Sequence, residues 1–112
     1  MALQLQSLET GMLNAIPQAL DAAKVTSQDL AGQIKKVLPG EIKKLAAQLV
    51  AIEEAGFSQP LAIQLIAMQK ESFEDVLIAL FEITLAAVQE LINALLKVVK
   101  DVVNTALGFV LL

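Results

Sequence analysis

Apolar residues recur at three- and four-residue intervals along almost the whole chain, the period of an amphipathic helix, and proline, glycine and capping residues punctuate the series. Between Leu3 and Lys24 the residues Leu5, Leu8, Met12, Leu13 and Ile16 keep helical spacing, and Pro17 predicts a division into two short helices. Thr26 with Asp29 three positions on makes a capping-box pattern, flanked by Val25 and Leu30 as a hydrophobic staple, so a helix is predicted to begin at Ser27. Its stripe of Leu30, Ile34, Val37 and Leu38 is predicted to end at Pro39-Gly40. A separate helix then runs from Glu41 to Ala55 on Ile42, Leu45, Ala46, Leu49 and Ile52, and Gly56 suits the left-handed position past its end. In that helix Lys43 and Lys44 near the start and Glu53 and Glu54 near the end oppose the helix dipole by about 0.3–1 kcal/mol per charge, which neighbouring charges must offset.

Ser58 is the next predicted cap, with Pro60 in the first turn of a helix whose positions Leu61 to Met68 are apolar except for Gln64. A helix apolar nearly all round is predicted to be buried. Ser72 and Asp75 form a second capping-box pair opening a segment that reads as helix from Phe73 to about Leu107, before Gly108. At about 100° per residue, Asp75, Glu82, Gln89, Asn93, Lys97, Lys100 and Asn104 fall within an arc of roughly 80°, leaving one narrow polar seam on a surface that is otherwise apolar except for Glu74, Glu90, Asp101 and two threonines. Such a helix would be roughly 50 Å long at ~1.5 Å per residue, longer than a compact domain, so it is expected either to break around Asn93 or, if unbroken, to protrude and need a partner. The β-branched pairs Val98-Val99 and Val102-Val103 are weak helix formers that packing must support.

Composition sharpens this picture. The apolar set makes up 56% of the 112 residues, and about 61% once the five glycines are counted, against roughly 45–50% in ordinary domains. A chain of this length forms one domain, residues 1–112, and a small domain cannot enclose so large a surplus. Three covers are available: an apolar ligand in a cavity, a second copy of the chain, or a lipid or air–water interface. The net charge is −4, all eight cations are lysine, and the absence of arginine argues against nucleic-acid recognition. No cysteine is present, so disulfides and thiolate metal sites are excluded and the compartment is left open. The longest uncharged stretch, Ala55 to Gln69, falls short of the ~20 residues of a transmembrane helix. The N-terminal residues Met1 to Gln6 do not read as a signal peptide, although a mature secreted form would look the same; the expectation is a soluble protein of unassigned location.

Histidine, cysteine, tyrosine, tryptophan and arginine are all absent, which removes the usual general base, the thiol nucleophile and the Glu-x-x-His pattern of di-iron bundles. No catalytic residue, metal site or cofactor is expected. Glu71, Glu74 and Asp75 cluster, but without the alternating ligands and central glycine of a calcium loop, and they read better as first-turn acids. Lys35, Lys36, Lys43 and Lys44 flank Pro39-Gly40 and are candidates for an anionic head group, as is Glu82 for a polar one, although solvated surface is the simpler role for all five. The apolar tail from Leu107 to Leu112 must dock on the protein's own groove, a neighbouring subunit or a membrane.

The sequence therefore predicts an all-α fold, a single small bundle of about five helices with a long apolar C-terminal helix. Its expected function is non-enzymatic binding of an apolar small molecule or fatty-acid-like lipid in a cavity lined by Leu61, Leu65, Ile66, Met68, Val76, Leu77, Leu80, Phe81, Leu85 and Leu91. Two alternatives use the same surplus: a self-associating structural protein forming a homo-oligomer, and a surface-active protein contacting a membrane or interface. The lack of tryptophan and tyrosine anchors weighs against the last.

Overall fold

The helical stripes close into helices at nearly every place where spacing and caps agree. The computed structural model describes residues 3–112; Met1 and Ala2, part of the N-terminal stretch considered for a signal peptide, lie outside the described residues. Helix α1 covers Leu5–Asn14 and α2 covers Ile16–Ala22, divided as Pro17 requires, with the proline in the first turn of α2. Helix α3, Gln28–Ala55, starts one residue later than expected: Ser27 is the cap, and its Oγ accepts a hydrogen bond from the Leu30 N–H at 3.2 Å. Gly56, at φ +65°, ends it in a left-handed turn that Phe57 completes by donating its N–H to the Ile52 carbonyl.

The predicted stop at Pro39-Gly40 does not occur, and α3 is one continuous helix of 28 residues. Ile34 and Leu38 before the proline, and Ile42, Leu45, Ala46, Leu49 and Ile52 after it, lie in phase and are all fully buried. Continuing the helix keeps both halves of that stripe in the core, whereas a turn would rotate one half into water. The proline itself is exposed, as is Lys35, whose carbonyl it leaves without an intrahelical donor, so the lost bond falls on the wet side. Continuity also removes part of the predicted dipole conflict: Lys43 and Lys44 become mid-helix residues, Asp29 occupies the first turn, and Glu53 Oε1 accepts the Leu3 N–H at 2.9 Å.

Helix α4 spans Gln59–Phe81, so Ser72 lies inside a helix instead of opening one. Ile66, Phe73 and Leu77 are buried in phase across that point, which holds the helix together. The long helix expected from Phe73 to Leu107 is divided, though not at Asn93, which sits within α5. The chain breaks first at Glu82, which takes left-handed geometry at φ 55°. Thr84 then caps α5, Leu85–Lys97, its Oγ1 accepting from the Ala87 N–H at 3.1 Å. A second break at Val98-Val99, within the β-branched run, precedes α6, Lys100–Leu107, which Gly108 ends at φ +79°. Folding back at Glu82–Thr84 buries Leu77 and Phe73 in the same core as Val88, Leu91, Ile92 and Leu95, which a straight rod could not do.

The fold is all-α, with six helices among the described residues where about five were expected. Neighbours run in the ring α1, α3, α4, α5, α2 and back to α1, and α6 bridges α3 and α5. At ~1.5 Å per residue α3 is about 42 Å long, so it spans the longest dimension of the 41 × 23 × 19 Å body. The predicted burial of the Leu61–Met68 stretch fails: Ala62 and Ile66 are buried, but Leu61, Ile63 and Met68 are exposed, Met68 at 66%. Among the described residues only helices α3 and α5 lie against α4, so its other side has no helical layer to cover it.

Candidate functional site

The residues predicted to line an internal cavity are dispersed. Ile66, Leu77 and Leu91 are core side chains, Leu65, Val76 and Phe81 are half-buried, and Leu61, Met68, Leu80 and Leu85 are exposed. None of them lines any of the three principal depressions of the surface. The lysines Lys35, Lys36, Lys43 and Lys44 do not meet across a turn; they lie exposed along the continuous α3. Lys44 Nζ instead pairs with Glu41 Oε2 at 3.1 Å. Glu41 is 5% exposed, and its other carboxylate oxygen has no hydrogen-bond partner. Glu82 is exposed on the turn that joins α4 to α5. Among the described residues the acidic side chains, Glu71, Glu74 and Asp75 included, form no cluster that could hold a metal ion.

The structure instead opens a groove between α4, α5 and α6. One part, about 290 Å³, is lined by Lys70 of α4, Asn93, Leu96 and Lys97 of α5, Lys100 of α6, and Leu112 of the tail. A second depression, about 210 Å³, is lined by Lys70, Glu74, Gln89, Ile92 and Asn93, and adjoins the first along the shared Lys70 and Asn93. Helical geometry explains the lining. Gln89, Asn93, Lys97 and Lys100 follow at intervals of four, four and three, so one edge of α5 and the start of α6 presents polar heads above the buried Ile92 and Leu96. Lys70 lies between Ile66 and Phe73 on the side of α4 turned to the core, and is half-buried. Its aliphatic stem can cover apolar surface while the ammonium stays wet.

The tail forms one end of the groove. After Gly108 the chain reverses, and the Asn104 side chain fixes it: Oδ1 accepts from the N–H groups of Leu111 at 2.9 Å and Leu112 at 3.0 Å, and Nδ2 donates to the backbone oxygen of Leu112 at 3.4 Å. Gln59 of α4 donates from Nε2 to the Val110 carbonyl at 3.0 Å. Leu111 and Leu112 rest half-buried against the core, so the tail is docked on its own bundle. A third depression of about 310 Å³, between α2 and α5, is bordered by Ala22, Ala23, Lys24, Thr84, Ala86, Ala87 and Glu90, mostly small side chains.

No family model, curated protein or solved structure matches this chain. Among the described residues no helix is long and apolar enough to cross a membrane. Four of the groove residues, Gln89, Asn93, Lys97 and Lys100, were visible in the sequence as members of the polar seam, but periodicity alone presents a seam as solvent-facing surface. The signal that distinguishes them is adjacency: Asn93 and Lys97 directly follow Ile92 and Leu96, two residues of the buried stripe.

Proposed function

We propose that the protein binds a small, largely apolar molecule without catalysis, in the groove between α4, α5 and α6. The observation that carries this reading is that apolar Leu96 and Leu112 meet a few polar heads in one depression, with Ile92 in the floor of the depression that adjoins it. Ligand sites typically combine these features in about 300–1,000 Å³, and the larger part of this groove lies close to the lower bound, which favours a single short chain or ring system. The surface groove is preferred to the interior cavity expected from the sequence because the candidate cavity residues, which range from core to half-buried to exposed, line none of the three depressions. The test is thermal unfolding in the presence of dodecanol or dodecanoate: saturation at a hundredfold excess over Kd adds about 2.7 kcal/mol to stability. Asn93 is exposed and lines both parts, so Asn93→Phe should fill the groove and abolish the shift while preserving helicity. A shift retained in that variant would place the ligand elsewhere.

A second reading, self-association, rests on the outer side of α4. Leu61, Leu65, Met68, Ser72, Val76 and Ala79 follow at intervals of three and four and lie exposed or half-exposed along one line. Two copies crossing antiparallel about the middle of this line set Leu61 against Ala79, Leu65 against Val76 and Met68 against Ser72, a large side chain facing a smaller one at each level. This reading requires a melting temperature that rises with protein concentration, and Met68→Lys should remove the dependence. A monomer at all concentrations would eliminate it.

A further inference from the structure

We propose that the ligand of this groove carries an anionic head, a carboxylate or phosphate monoester on a single apolar chain, held by Lys70, Lys97 and Lys100; the inference rests on the groove being the binding site. The three lysines come from three different helices, α4, α5 and α6, and border the same concavity. Acidic residues outnumber lysines 12 to 8 in the chain, yet no acidic side chain lines this part of the groove. Among the described residues the one ion pair joins Lys44 to Glu41, so none of the three ammonium groups is neutralised by a carboxylate within 4 Å. Like charges gathered over an apolar floor leave an electrostatic demand that an anion satisfies.

The neighbouring charges also orient the ligand. Glu74 lines the adjoining part of the groove beside Lys70, Gln89 and Asn93, and its carboxylate disfavours an anion there. The head therefore lies toward Lys97 and Lys100, where the Asn93 amide supplies a further donor, and the apolar chain covers Leu96, Leu112 and Ile92. Lysine offers rotatable point charges without the planar fork of arginine, which suits a compact carboxylate or phosphate head.

The experiment is calorimetric titration of the full chain with dodecyl phosphate below its micellar concentration, with 1-dodecanol and inorganic phosphate as separate arms. Dodecyl phosphate should bind, dodecanol about tenfold more weakly or less, and inorganic phosphate not measurably, since the head and the chain each contribute. Lys97→Gln and Lys100→Gln should each weaken dodecyl phosphate by about tenfold, and by several-fold more than they weaken dodecanol, with the melting temperature of the free protein unchanged. Both lysines are exposed, so loss of folding does not confound the result. Equal affinity for dodecanol and dodecyl phosphate would overturn the anionic head while leaving the groove as a binding site. No binding by either amphiphile would overturn the groove itself. Cosedimentation with phosphatidate vesicles in the absence of any monomer binding would assign the lysines to a lipid surface and likewise overturn the single-molecule site.

Discussion

Helices α3 and α4 are the two longest in the protein, lie side by side, and use their apolar residues in opposite ways. Helix α3 contains a proline and a glycine at its centre and eight buried side chains on one face, with its lysines opposite. Helix α4 is apolar from Leu61 to Met68 except for Gln64, yet of its whole length only Ala62, Ile66, Phe73 and Leu77 are buried. Burial thus follows the position of neighbours and the phase of the stripe. Where the phase is strict it carries a helix through a residue that should stop it, and where the apolar surface is broad the surplus is left outside.

The sharpest way to break this comparison is truncation on both helices. Leu45→Ala in α3 should cost about 2–5 kcal/mol and Phe73→Ala in α4 about 3–5 kcal/mol in urea unfolding, because each is fully buried. Met68→Ala and Leu61→Ala, equally apolar in sequence, should stay within about 0.5 kcal/mol. A comparable loss at Met68 under dilute conditions would mean that its face is covered. Pro39→Ala should stabilise α3 by about 1–3 kcal/mol by restoring the Lys35 carbonyl's partner; destabilisation would show that the core depends on the geometry the proline imposes.

Smaller effects separate the two helices further. Glu41→Met should be neutral or stabilising by about 1 kcal/mol, since it removes a buried carboxylate with one unpartnered oxygen. A marked loss of stability would reveal that the Lys44 pair contributes more than an exposed pair's usual ~0.2–1 kcal/mol. At the helix starts, Ser27→Ala should cost about 1 kcal/mol, whereas Ser58→Ala should change little, within a few tenths of a kcal/mol. Ser27 bonds the Leu30 N–H, and Ser58 makes no side-chain cap bond. Thermal melts of the two variants side by side would show whether the residue type or the bond it makes sets the cost.

Much of the fold was legible because helix signals are local. The split at Pro17, the start near Ser27, the caps at Ser58 and the left-handed ends at Gly56 and Gly108 all follow from residues within one turn of the feature. The break at Glu82 was less legible: no glycine or proline marks it, a glutamate adopts positive φ, and Thr84 is the local sign of a new start. The groove was least legible, because Lys70 lies far along the chain from Lys97 and Lys100 and meets them only when α4 folds back on α5.

The sequence by itself determined an all-α chain, the spacing of each core stripe, most helix ends and an apolar surplus beyond what one small domain encloses. Tertiary structure alone decided that α3 continues through Pro39-Gly40, that the C-terminal apolar run divides into three packed segments, and which side of α4 faces water. The physical reason is one of range. Caps and periodicity are set by bonds and contacts between residues within a few positions, whereas the choice among faces, and the placing of Lys70 at the same groove as Lys97 and Lys100, depends on which surfaces the closed ring of helices brings together.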